Sequence, residues 1–221
     1  RGEMMECKIT LVTERMVVLD DVFPDDLWRS FRHTLARETL QPSMIVSLYS
    51  RHWEYNASFP YSTKSFMWKK GPPETWFGAA GACFSGIAAA YPDHVGEWND
   101  IDIHTHLFGR GTKITWHMDT HSAGSFTWYF HETWSTYWGG ELFVPCDQGD
   151  ASLLTAEAVS FGHAREDAIR SLGTGYYVAP LPNRCILLAP GTCHAVNRVD
   201  PSAGDHLRCT VVGFLVPVDK T

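Results

Sequence analysis

His117 and Asp119 stand two residues apart in Trp116-His-Met-Asp-Thr120. On an extended strand, residues i and i+2 share a face, so an imidazole and a carboxylate would point to the same side. His194 follows 75 residues after Asp119, in Pro190-Gly-Thr-Cys-His194. Two histidines and one carboxylate on one face of a metal leave the opposite face open, the donor set with which non-haem Fe(II) takes up O2 and a co-substrate. A His-x-Asp pair alone is weak, because a chain with 11 His and 25 Asp plus Glu produces such pairs by chance. Its bland alternative is a polar pair on a solvated strand face.

Two further groups fit the same chemistry. Arg208 lies 14 residues beyond His194, with Thr210 on the same side of a strand predicted over 207–216. An Arg with a hydroxyl two residues on can hold a carboxylate in a fork. Taken alone, Arg208 could equally form a structural salt bridge, and Tyr129 could be strand packing. Trp138-Gly-Gly-Glu-Leu142 follows a strand that ends in Tyr129-Phe130-His131.

These residues together carry a resemblance. Phe108-Gly-Arg-Gly111 leading to His117-x-Asp119 resembles the approach to the metal motif in the prolyl 4-hydroxylase-like group of Fe(II)/2-oxoglutarate oxygenases. Tyr129-Phe130-His131 is similar to that group's Tyr-Leu-Asn, and Trp138 to Leu142 to its Trp-Gly-Gly-Glu-Leu. Pro182-Asn-Arg184, the apolar run to Leu188, His194, Val196 and Arg208 resemble its C-terminal half. The likeness runs from about Gly109 to Leu215, with a weaker echo in Val17 to Leu35.

The resemblance implies a double-stranded β-helix, a jelly-roll core, with iron on His117, Asp119 and His194. It implies 2-oxoglutarate as co-substrate, bound by Arg208 and Tyr129 with Thr210 as a lesser partner, together with O2; ascorbate is a candidate reductant. The reaction it implies is hydroxylation of an unactivated C–H with release of succinate and CO2. The group's peptidyl-prolyl members carry Tyr ten residues before the first iron-binding His, where this chain has Leu107. The His194 to Arg208 interval is also longer than is common there. Both departures turn the substrate expectation toward a small molecule, an amino acid or a natural-product intermediate. A peptidyl-residue hydroxylase is the alternative, followed by a cupin-like metal protein that does not use 2-oxoglutarate.

The elements that must position these residues read as mainly β. Residues 8–20 suggest one or two strands, and Pro24-Asp-Asp26 starts a helix with Leu27, Phe31 and Leu35 on its apolar face. Aromatic residues between Met44 and Trp68 suggest strands and loops framing a pocket mouth. A second helix opens at Pro73-Glu-Thr75, and Pro92 stops it near Tyr91. Strands over 100–108 and 111–118 are joined by Gly109-Arg-Gly111. In the next strand Ser125, Thr127 and Tyr129 oppose Phe126, Trp128 and Phe130, which suits a polar interior and an apolar exterior packed on helices. A half-buried strand with its polar face in water gives the same alternation. Strands over 176–179, 184–189, 195–199 and 207–216 complete an all-β second half, punctuated as a jelly roll is. A loop-rich insertion at 146–183, with a short helix over 164–172, is expected to act as a mobile cover for the substrate mouth.

At 221 residues the chain suits one oxygenase domain, with supporting strands and helices over about 1–98 and the jelly-roll core over 99–217. A formal charge of −7 without a basic run argues against a nucleic-acid partner. The chain has no run of 18 apolar residues and no signal pattern, which suggests no membrane partner and a cytoplasmic location. Six cysteines without C-x-x-C spacing suggest reduced thiols. A homodimer stays open. The surplus histidines His104, His106 and His121 are expected either to support the ligands from behind or to be structural, because an open-faced site wants one set of three.

Overall fold

In the computed structural model the described residues are 7–35, 41–42, 61–62, 66–68, 76–148 and 163–218. The N-terminal strands β1 (Lys8–Val12) and β2 (Met16–Asp20) form a hairpin, followed by α1 (Asp25–Leu35). Short strands β3 (Gln41–Pro42), β4 (Tyr61–Ser62) and β5 (Phe66–Trp68) precede α2 (Trp76–Ala90). Then come β6 (Trp98–Phe108), β7 (Ile114–His117), β8 (Ser125–Tyr129), β9 (Leu142–Pro145) and α3 (His163–Ser171). The chain finishes with β10 (Gly175–Val178), β11 (Cys185–Leu188), β12 (His194–Val196) and β13 (Arg208–Pro217).

All pairings are antiparallel. The major sheet runs β1-β2-β11-β8-β13-β6-β4-β3 with β5 also on β6, and the minor sheet runs β10-β9-β12-β7. The chain passes between sheets from β6 to β7, from β7 to β8 and again from β11 to β12. That alternation is the expected jelly roll, a double-stranded β-helix. The core sheet also reaches back into residues 8–20, since β2 pairs β11 directly.

Strand parity builds two cores. The outward face of the major sheet (Ile101, Ile103, Phe126, Trp128, Val211, Leu215) packs on Trp28, Phe31 and Phe84 of the helices. Helix α2 approaches closely: Phe84 stacks on Phe126 at 4.7 Å, and a Cβ on Gly213 would meet the Phe84 ring at 2.7 Å. The inward face meets the minor sheet through Phe108, Tyr129, Leu142, Val144, Ile186, Leu188 and Val196. Ser125 and Tyr129 are therefore inside, and Phe126 and Trp128 outside under the helices, as the alternation in β8 suggested.

Some details differ from expectation. On α1 the buried face carries Trp28 and Phe31, whereas Leu27 is 38% exposed. Phe23 and Phe31 both pack on the Trp128 ring, and this aromatic cluster turns the helix away from Leu27. Strand β7 begins at Ile114 because Gly111 (φ 85°) and Thr112 form a turn bonded to Val199. Most of the aromatic stretch 44–68, the start of the second helix at 73–75 and the centre of the expected cover, 149–162, lie outside the described residues. No helix among the described residues is long and apolar enough to cross a membrane. All six cysteines are free.

Candidate metal centre

His117 ends β7 and His194 opens β12, and the two are direct cross-strand partners. Their rings lie 4.1 Å apart, centre to centre. Asp119 reaches back so that Oδ1 is 3.8 Å from His117 Nε2 and Oδ2 is 3.8 Å from His194 Nε2. One ligand atom from each residue falls within 4.8 Å of the others, the one such cluster of three among the described residues. Both histidines donate Nδ1–H to the carbonyl two residues back, His117 to Thr115 at 2.8 Å and His194 to Thr192 at 2.9 Å. That bond favours the tautomer with the proton on Nδ1, so Nε2 is the nitrogen each ring turns toward Asp119. Burial, and then the neighbouring His194, push the His117 pKa down to about 4, so its imidazole is neutral at physiological pH. Two imidazoles and a carboxylate suit a divalent first-row metal.

The surplus histidines lie elsewhere. His121 is exposed, and His104 and His106 sit on β6 outside the cluster. His104 Nε2 contacts Asp102 Oδ2 at 3.0 Å.

Arg208 opens β13 and is 2% exposed. Its Nε donates to the Gly140 carbonyl at 2.7 Å and Nη2 donates to the Tyr129 hydroxyl at 3.2 Å. The guanidinium lies over the rings of Phe108, at 5.4 Å, and Tyr129, at 4.9 Å. Among the described residues no carboxylate lies within ion-pair distance of it. A buried charge without a counter-charge is costly, so this arrangement calls for an anion. Thr210, on the same face, donates to the His106 carbonyl at 3.4 Å.

The Gly139-Gly140 pair has a mechanical reason. Both residues have positive φ, 69° and 77°. A Cβ on Gly139 would collide with the Arg198 carbonyl, and one on Gly140 would lie 2.8 Å from Arg208 Cδ. Only glycine lets this segment press its carbonyl onto the guanidinium. Glu141, 5% exposed, then ties the segment to β12 by accepting from Asn197 Nδ2 at 2.7 Å, and it also accepts from Tyr177 Oη at 3.2 Å.

The other arginines are otherwise engaged. Arg184 grips Asp20 through Nε at 2.6 Å and Nη2 at 2.9 Å and donates Nη1 to Ala179. Arg198 is exposed. His206 stacks on Trp138.

Sequence reasoning missed Gln148 and His131. Gln148 Oε1 accepts the Cys193 N–H at 2.5 Å, one residue before His194, and α3 packs Ala168 and Leu172 on Cys193. His131 donates Nε2–H to Pro180 at 2.7 Å and accepts the Cys209 N–H, one residue after Arg208. Gln148 stands in no motif or periodic pattern, and the likeness that includes Tyr129-Phe130-His131 does not mark the contacts that His131 makes.

A jelly roll holding a two-histidine, one-carboxylate cluster and an arginine buried without a carboxylate partner among the described residues suits a metal-dependent oxygenase. Residues 103–216 match the 2OG-Fe(II) oxygenase superfamily, and the chain belongs to it. It is a 2-oxoglutarate-dependent dioxygenase that uses Fe(II), 2-oxoglutarate and O2. Among solved structures it is similar to a prolyl-4-hydroxylase of Pseudomonas putida (TM-score 0.60, 15% identity, covering 93% of this chain and 94% of that one). It is also similar to a Trichoplax adhaerens prolyl hydroxylase in complex with a hypoxia inducible factor peptide fragment (TM-score 0.59, 10% identity, 92% and 84% covered). A third is HygX of Streptomyces hygroscopicus with nickel, 2-oxoglutarate and hygromycin B bound (TM-score 0.57, 13% identity, 93% and 84% covered). No curated protein matches the sequence.

Proposed function

We propose that His117, Asp119 and His194 hold Fe(II), that Arg208 anchors the distal carboxylate of 2-oxoglutarate, and that the enzyme hydroxylates a small molecule. The observation that carries this reading is the buried guanidinium, 2% exposed and without a carboxylate partner among the described residues, on the inward face of the major sheet, across from the minor sheet that bears the histidine cluster. The donor set fits iron: the Nδ1 bonds favour the tautomer in which Nε2 is the donor nitrogen, and the carboxylate supplies the anionic ligand.

When bound, iron with 2-oxoglutarate and O2 supplies an oxidant able to take hydrogen from an unactivated C–H, with succinate and CO2 as co-products. The chain's own residues orient and enclose. Arg208 neutralises the distal carboxylate, and Tyr129, whose hydroxyl oxygen accepts from Nη2, keeps its proton for the same carboxylate. Thr210 adds a weaker contact from the same face. Gly140 holds Nε so that the guanidinium points its remaining N–H groups inward. Phe108, Ile186, Leu188 and Val196 keep water from the interior.

The small-molecule reading rests on Leu107, which packs outward against the helix-side core and offers the interior no tyrosine hydroxyl. HygX, of the same fold, holds hygromycin B, which supports it. We further propose one oxygenase domain over 1–221. Anaerobic titration of Fe(II) and 2-oxoglutarate should develop the weak visible band of their complex. Substrate-stimulated succinate release should follow for a small amine, amino acid or natural-product intermediate. Stimulation by prolyl peptides alone would transfer the reading to a peptidyl hydroxylase, and no visible band would end the 2-oxoglutarate assignment.

A further inference from the structure

His106 shares the inward face of β6 with Phe108, and the interior depends on what its ring does there. Strand register puts it directly opposite Thr210, and Thr210 directly opposite Tyr129. The three therefore form one row across β6, β13 and β8, adjacent to the Arg208–Phe108 pair. Tyr129, on one side of that row, reaches the Arg208 guanidinium at 3.2 Å. His106 flanks Thr210 on the other side.

The His106 ring is held by stacking. It lies parallel to Phe108, 5.9 Å centre to centre and 10° between planes, and 6.1 Å from His104. Phe108 in turn carries the Arg208 guanidinium over its ring at 5.4 Å. Neither nitrogen of His106 has a hydrogen-bond partner among the described residues. As a whole residue His106 is half-buried. Burial, then His104 and Arg208, push its pKa down to about 3, while Asp119 pulls the other way. His106 thus feels both ends of the site. A neutral imidazole there has one N–H to give and no acceptor for it among the described residues.

We propose that His106 is a further co-substrate-binding residue, donating its N–H to the distal carboxylate of 2-oxoglutarate from the side opposite Tyr129. The inference rests on the Arg208 anchor proposed above. It explains why an inward-facing imidazole is held by ring stacking with its polar edge unused: the edge is kept for an incoming anion. A hydrogen bond to a charged group is worth more than one between neutral groups, and its loss corresponds to about ten- to a hundredfold in affinity.

The test is calorimetric titration of the Fe(II)-loaded enzyme without oxygen, using 2-oxoglutarate and, as a 2-oxoacid lacking the distal carboxylate, pyruvate. His106→Leu should weaken 2-oxoglutarate at least about tenfold and leave pyruvate and iron affinity unchanged, while His106→Gln, which keeps an N–H donor, should restore part of the preference. Equal weakening of both acids means a structural role and overturns the proposal, as does unchanged 2-oxoglutarate binding. If His106→Leu does not fold, the ring nitrogens of His106 are followed by NMR in the Zn(II)-loaded parent. A shift with 2-oxoglutarate and none with pyruvate supports the contact, and no shift with either overturns it. Arg208→Ala separates the two claims: if it binds 2-oxoglutarate as the parent does, the anchor itself fails. If Arg208→Ala is weak and His106→Leu is not, only the His106 contact fails.

Discussion

Gly140 and Arg208 are in direct contact, carbonyl to guanidinium at 2.7 Å, with no room for a side chain between them. The backbone of one site motif therefore sets the aim of the other. Gly140→Ala would add strain at positive φ, roughly 1–2 kcal/mol, and drive a methyl into Arg208 Cδ. Its 2-oxoglutarate affinity should fall at least about tenfold while iron affinity holds, as read by co-substrate titration. Parent-like affinity would mean that Arg208 does not depend on this contact.

Arg208→Ala should be the more severe change. Removing one member of a buried charged pair costs about 3–5 kcal/mol, which corresponds to a hundred- to a few thousand-fold in 2-oxoglutarate affinity. Tyr129→Phe removes one neutral hydroxyl, about 0.5–1.5 kcal/mol and at most around tenfold. Both variants should bind iron as the parent does. The ranking is checked by anaerobic titration, and a reversed order would move the carboxylate away from Arg208.

His117→Ala and His194→Ala should each abolish iron binding, whereas the exposed His121→Ala should keep it. Each of the first two removes one of three donors from a site that already leaves positions open. Metal content after dialysis against a weak chelator distinguishes them. Iron retained by His117→Ala and lost by His121→Ala would refute the ligand set.

His131 predicts a pH dependence of stability. Burial first pushes its pKa down to about 4, although the bond to Pro180 opposes this. Its unfolded value is about 6.5, so between these values the unfolded chain takes up a proton that the folded protein refuses. The contribution is fully present above about pH 6.5 and falls by roughly 3 kcal/mol in all as pH drops through 4. Urea unfolding at pH 7 and pH 5 should show a shallower pH slope for His131→Asn, by at most about 1.4 kcal/mol per pH unit. An identical slope would assign acid sensitivity to other groups.

Local spacing made much of the site legible. The alternation Ser125 to Phe130 and the offset from Arg208 to Thr210 depend only on strand parity, whereas β7 ends at His117 and Asp119 meets it by turning back beyond the strand. What stayed hidden depends on contacts between distant segments. Gln148 on Cys193 spans 45 residues, and Asn183, which binds both the N–H and the carbonyl of Phe23, spans 160. A lone Gln or Asn in a loop carries no periodic signal. Trp28 displaced Leu27 from the buried face of α1 because the packing partners, Phe23 and Trp128, lie outside the helix and decide its rotation. The role of Gly139-Gly140 was invisible for the same reason, since the atoms that exclude a side chain belong to Arg198 and Arg208.

The pairing of His117 with His194 across β7 and β12 has a consequence for how the enzyme matures. These strands have only four and three residues, so their ladder alone holds them weakly. His117 and Asp119 are neighbours in the chain, but His194 joins them only after a long loop closes, at an entropic cost that short strands repay poorly. A metal bridging the two strands would act as a clasp, tightening the minor sheet by mass action in proportion to its concentration. Chains that have not closed the sheet offer two donors and capture the metal poorly. Metal loading on this cluster would thereby proofread assembly, and starving cells of iron should leave a pool of enzyme that proteases open first at the minor sheet.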